Sequence, residues 1–93
     1  MSNIETDQSS AALRAVAVME AVARAADPLS LTEIMAATGL PNPTVHRTLA
    51  LLESAGILLR EPQGKRYAPG PRLSALALDV VSGAAWRAPR HAI

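Results

Sequence analysis

The stretch from Ser30 to Gly56, SLTEIMAATGLPNPTVHRTLALLESAG, constrains the fold most, because its punctuation leaves the backbone few choices. Ser30 and Glu33 have capping-box spacing, in which each side chain reaches the other's backbone N–H. Leu29 and Ile34 complete the box as a hydrophobic staple. Gly39 ends this first helix. Asn42 then reads as the N-cap of a second, with Pro43 at the first helical position, where its missing N–H costs nothing. Val45, Leu49 and Leu52 recur at i, i+4 and i+7 as one apolar stripe, and Gly56 stops the helix with Ile57 behind it for an apolar contact. Two short helices separated by Gly39-Leu40-Pro41 have helix-turn-helix geometry. Many helical bundles contain such a pair, so its purpose has to be read from what surrounds it.

The outward face of the second helix is distinctive. At ~100° per residue, Arg47 lies nearly opposite the Val45 stripe and Thr44, His46 and Ala50 flank it. No acid occurs in this helix before Glu53. A helix N-terminus that shows hydroxyl, imidazole and guanidinium groups suits an anionic, hydrogen-bonding partner. The charge along the chain agrees. Up to residue 42, Glu5, Asp7, Glu20, Asp27 and Glu33 outweigh Arg14 and Arg24, a balance of −3. From residue 43 to 72, Arg47, Arg60, Lys65, Arg66 and Arg72 outweigh Glu53 and Glu61, a balance of +3. The overall net charge of +1 hides this asymmetry, which a phosphate-facing surface requires.

Around this pair the chain reads simply. Residues 1–8 are polar and patternless and are expected to form a disordered tail. From Ser9 or Ser10 to Ala26 runs a scaffold helix, with Leu13, Val16, Met19 and Val22 on its core face, ended by Asp27-Pro28. After Gly56, the β-prone runs Ile57-Arg60 and Lys65-Ala68 flank Pro62-Gln63-Gly64, a basic β-hairpin. Tyr67 is expected to point inward and pack this hairpin on the core. A helix-turn-helix followed by a basic hairpin is a winged helix-turn-helix, so the fold class is mainly α with one small hairpin. Pro71 opens a last helix to about Trp86. Its apolar residues Leu73, Leu76, Leu78, Val80 and Val81 help cover an arc of about 200°, more than one neighbour needs. Which side of it meets a partner is open.

Other classes lack their parts. The chain has no cysteine, hence no disulfide framework and no thiolate metal site. His46 and His91 are isolated, no acid pair has a useful spacing, and no Gly-rich phosphate loop occurs, so no enzyme, metal or cofactor is expected. With Phe absent and Trp86 and Tyr67 the only aromatics, the core must be built from Leu, Val, Ile, Met and Ala, which suits close-packed helices. No apolar run approaches the roughly 20 residues of a membrane span, and the start lacks signal-peptide character, so a cytoplasmic protein with no membrane partner is expected.

The segments ALRAVAVMEAVA, LSLTEIMAATGLPNPTVHRTLALLESAGILLR and GKRYAPGPRLSALAL resemble the N-terminal domain of the IclR family of bacterial transcription regulators. The resemblance covers roughly residues 11–80. It implies a winged helix-turn-helix over residues 9–70 and a linker helix over 71–86 that makes a homodimer. It implies too that a separate effector domain binds a small molecule, with residues 87–93 its truncated start and the rest absent. Asn42, Pro43, Thr44, Val45, His46 and Arg47 match the start of the family's recognition helix, and Arg66 and Tyr67 its wing. Pro43 stands where a polar residue is usual. Ala68 and Pro69 depart from the family's wing pattern, which shortens the expected second strand.

The expected function is sequence-specific binding of double-stranded DNA by a dimeric regulator. Ser30 and Thr32 at the first helix's start, Arg47, and Lys65 and Arg66 on the wing would hold phosphates. Asn42, Thr44, His46 and Arg47 would read bases, although an Asn42 oxygen used for capping is not free to do so and His46 can equally be idle. The alternative is a winged helix that binds protein instead of nucleic acid, which calls for apolar residues where Thr44, His46 and Arg47 stand.

Overall fold

Ser10 begins the first helix, its Oγ accepting from the Leu13 N–H at 3.1 Å, and α1 runs Ala11–Arg24. The computed structural model describes residues 10–83; the expected tail 1–8 and residues 87–93 lie outside them, as do residues 84–86 of the helix expected to reach Trp86, which here ends at Ser82 with Gly83 as its extended C-cap. The other elements are α2 Leu31–Thr38, α3 Asn42–Ser54, β1 Leu58–Arg60, β2 Tyr67–Pro69 and α4 Pro71–Ser82.

The capping box at α2 is complete: Ser30 Oγ accepts from Glu33 N–H at 3.2 Å, and Glu33 Oε1 accepts from Ser30 N–H at 2.9 Å. Gly39 closes α2 at φ +76°. Gly56 follows α3 at φ +75°, where the Gly56 N–H reaches Glu53 O and the Ile57 N–H reaches Leu52 O, the paired bonds of a Schellman stop. Strands β1 and β2 pair antiparallel with Leu58 opposite Pro69 and Arg60 opposite Tyr67. Ser30→Ala should cost about 1 kcal/mol of stability, measured by chemical denaturation, because it strips the α2 cap; an unchanged midpoint would show that water replaces it.

The core is Val18, Val22, Ile34, Val45, Leu49, Leu52 and Leu58, one cluster fed by α1, α2, α3 and β1. All three stripe residues of α3 are in it. Tyr67 packs against it as expected, and its backbone makes an antiparallel bridge with Leu29, Leu29 N–H to Tyr67 O at 2.9 Å and Tyr67 N–H to Leu29 O at 2.7 Å. The wing is therefore sewn to the segment just before α2.

Several expectations need correction. Pro41, not Asn42, is the α3 N-cap: its carbonyl accepts from Val45 N–H at 3.0 Å, and no side chain caps the helix. Both prolines fit a first turn, since Pro41 can take the extended ψ of 158° and Pro43 gives up only an N–H that has no helical partner. This moves Asn42 and Pro43 one place into the helix. On α1 the buried line is Val18 and Val22, while Leu13 and Val16 are 38% and 41% exposed, because α2, α3 and β2 cover a narrower stripe than the apolar residues offer. The helix also stops at Arg24, short of Ala26. Finally, β2 is short, three residues against the expected run Lys65–Ala68, but it is shifted to Tyr67–Pro69 and takes in Pro69, since a proline at the end of a two-stranded ladder has no second neighbour to donate to.

Candidate nucleic-acid interface

The α3 stripe buries Val45, Leu49 and Leu52, so helical geometry forces the intervening residues outward. Asn42, Pro43, His46, Arg47 and Ala50 are exposed, and Thr44 is half-buried. Asn42 at the first helical position makes no cap, which leaves its amide unspent on the helix start. The Thr44 carbonyl accepts from Thr48 Oγ1 at 2.7 Å. Arg47 shares a shallow groove between α1 and α3 with Arg14, Thr44, Thr48 and Leu51. Arg14 is a cation that sequence reading left on a scaffold helix. No local spacing ties it to Arg47, because only the packing of α1 on α3 brings the two together.

At α2 the picture differs from the expectation of an open anion site. Thr32 is exposed, but Ser30 is half-buried and bonded to Glu33. The Glu33 carboxylate lies over this helix start, where the macrodipole favours negative charge. The Ser30 N–H that it accepts, working against slight desolvation and helped by the Arg66 guanidinium, holds the Glu33 carboxyl below its ordinary range.

On the wing, Lys65 is exposed in the left-handed region at φ +54°, an unusual conformation for a lysine, and Arg66 is exposed beside it. Arg66 turns back: its Nη1 donates to Glu33 Oε1 at 2.7 Å and to Pro28 O at 3.2 Å. Lys65 and Arg66 are thus placed apart in role, Lys65 outward and Arg66 against the start of α2.

On α4 no residue is buried. Leu73 packs on the core, while Leu76, Leu78, Val80 and Val81 are 52%, 67%, 53% and 61% exposed. The first turn is anchored by Gly70 N–H to Ile57 O at 2.8 Å and Arg72 N–H to Gly56 O at 3.0 Å. Among the described residues no group of histidine, cysteine and carboxylate side chains could hold a metal, and no helix is long and apolar enough to cross a membrane.

Helix pair, exposed polar recognition face and flanking hairpin together define a winged helix-turn-helix of the DNA-binding class. Residues 11–62 match the family model of the IclR helix-turn-helix domain, more than half of the chain. Over 85 residues, 91% of this chain and 34% of the relative, it is 40% identical to the probable transcriptional regulator SauR of Cupriavidus necator. The chain belongs to the IclR family of DNA-binding transcription regulators. Among solved structures, an IclR homolog of Microbacterium hydrocarbonoxydans complexed with 4-hydroxybenzoate is 30% identical. It superposes with a TM-score of 0.66 over 74% of this chain and 28% of that one. HmgR of Pseudomonas aeruginosa, at 23% identity, shares the fold with a TM-score of 0.72 over 78% of this chain and 29% of its own. The chain thus spans about a third of the length of these relatives.

Proposed function

We propose that this chain is the operator-reading part of a homodimeric regulator that binds double-stranded DNA sequence-specifically. The first two turns of α3 would enter the major groove. The observation that carries this is the exposure of Asn42, His46 and Arg47 in the first two turns of α3, with Arg47 opposite a fully buried stripe, at the head of the stretch 43–72 whose net charge is +3. Asn42, His46 and Arg47 are positioned to read base edges, with Thr44 and Pro43 in apolar or hydroxyl contact. Thr32 and Lys65 supply phosphate contacts that fix the register, while Ser30 acts chiefly as the α2 cap. The winged domain occupies residues 9–70, and the helix from Pro71 joins two copies through Leu73, Leu76, Leu78, Val80 and Val81. A small-molecule effector would act through a domain outside this sequence; the Microbacterium homolog was crystallised with a small molecule, 4-hydroxybenzoate. The setting is the cytoplasm, where the DNA is, and no catalytic step is assigned.

The test is Arg47→Ala, read by fluorescence anisotropy against a duplex selected from random sequence and against an unselected one. A base contact predicts a loss of about 1–3 kcal/mol on the selected duplex alone. A phosphate contact predicts an equal loss on both and a salt slope flatter by about one unit. Unchanged binding to both, in a folded variant, removes Arg47 from the interface, and a parent that binds no duplex at low salt removes DNA.

A further inference from the structure

The Arg66 guanidinium has its partners built into the fold, and that geometry sets it apart from Lys65. It donates to the Glu33 carboxylate at 2.7 Å and to the Pro28 carbonyl at 3.2 Å, groups that flank the start of α2. Its neighbour Tyr67 exchanges two backbone bonds with Leu29, so residues 66 and 67 grip residues 28, 29 and 33 side by side. Glu33 is in turn fixed by the α2 cap through the Ser30 N–H at 2.9 Å, on the same Oε1 that Arg66 uses.

We infer that Arg66 is a positioning residue: its clamp on Glu33 and Pro28 sets the angle of the wing against the helix pair, so that Lys65, not Arg66, meets the DNA backbone. The physical reason is competition. To reach a phosphate, Arg66 would have to abandon a charge-assisted bond and a carbonyl, and leave Glu33 facing the DNA as an unmatched anion beside the α2 start. Kept in place, the pair cancels that anion and holds the hairpin, whose β1–β2 ladder is only three residues a side and needs an outside anchor. Since the pair is about half exposed, at 45% and 49%, its effect is modest and shows as geometry rather than as large stability.

The assignment rests on the DNA reading above for one arm of its test only. In the first arm, Arg66→Gln, Glu33→Gln, the double variant and Lys65→Gln are titrated with one duplex across a range of salt. Lys65→Gln should flatten the salt slope by about 0.9, the change expected when one phosphate is no longer neutralised. Arg66→Gln should leave the slope unchanged while weakening binding about threefold to tenfold at every salt. Glu33→Gln should weaken it similarly, and the double variant should be no weaker than either single. The second arm needs no DNA: amide exchange at Leu29 and Tyr67 should quicken at least about threefold in Arg66→Gln and Glu33→Gln, and stay at the parent rate in Lys65→Gln. A flattened slope in Arg66→Gln, together with tighter binding in Glu33→Gln, would overturn the clamp and make Arg66 a phosphate ligand. Unchanged exchange in both clamp variants would overturn it as well. A parent that binds no duplex would overturn the DNA reading alone, and the exchange arm would still decide the clamp.

Discussion

Aspartate at both Leu78 and Val81 is expected to turn the chain into a monomer and to lower its affinity for a two-half-site duplex about a hundredfold or more, with the winged domain still folded. The winged domain is spared because its core cluster contains no residue of α4, and of that helix only Leu73 packs against it. Leu76, Leu78, Val80 and Val81 each leave more than half of their surface in water, and every Å² of apolar area that a second copy covers is worth about 25 cal/mol. In the proposed dimer, a two-fold axis at this helix would bury the same residues from both copies and would set two α3 helices about one turn of DNA apart. Linking the two half-site contacts raises affinity through effective concentration, roughly 10²–10⁴-fold, and that gain is what the variant forfeits. Sedimentation velocity with duplexes carrying one or two half-sites reads both effects. A parent that remains monomeric at high concentration and prefers single half-sites would sink the dimer contact.

The second large effect is expected at Gly70. A Cβ there would stand 2.6 Å from the Gly56 carbonyl oxygen and 3.0 Å from the Ile57 carbonyl carbon and oxygen, all backbone atoms that cannot rotate away. Gly70 is buried, so there is no vacant side to retreat to. Its φ of −91° is open to any residue, which makes the effect one of space rather than of backbone preference. Gly70→Ala should therefore cost about 3 kcal/mol by overpacking, a fall in Tm of about 15 °C by calorimetry. At the exposed hairpin tip, Gly64→Ala would meet the flexible end of the Glu61 side chain and, at ordinary contact distance, the stem of Arg66, and should change Tm little. Equal melting of the two variants would show that the Gly56–Gly70 contact yields.

What the sequence made legible is what depends on neighbours in the chain. The Ser30–Glu33 box, the glycine stops at 39 and 56 and the Val45–Leu49–Leu52 stripe are local rules, and each stands in the structure. The α3 cap was missed by one residue because Pro43 fits either of the first two helical positions and Pro41 fits an extended cap, so the prolines alone do not fix where the helix starts. Exposure of His46 and Arg47 followed from periodicity alone. The Arg66–Glu33 pair did not, since 33 residues separate the partners and only the Leu29–Tyr67 bridge brings them together. For the same reason Arg14 gave no sign of lying beside Arg47. On α1, periodicity marked which residues could be buried, but the coverage by neighbours decided that Leu13 and Val16 were not.

The two bonds that tie the start of α4 to Gly56 and Ile57 make the end of the recognition helix and the root of α4 one mechanical joint. A rod with no buried residue beyond that joint is free to be gripped along its length, so it works as a crank. Torque applied to α4 would pass to Gly56, behind the last turn of α3, and equally to the wing, whose β2 runs straight into Gly70 and whose β1 packs against α4. In the proposed dimer, turning two such cranks about a shared axis would change the spacing and pitch of the two α3 helices without altering any residue proposed to touch a base.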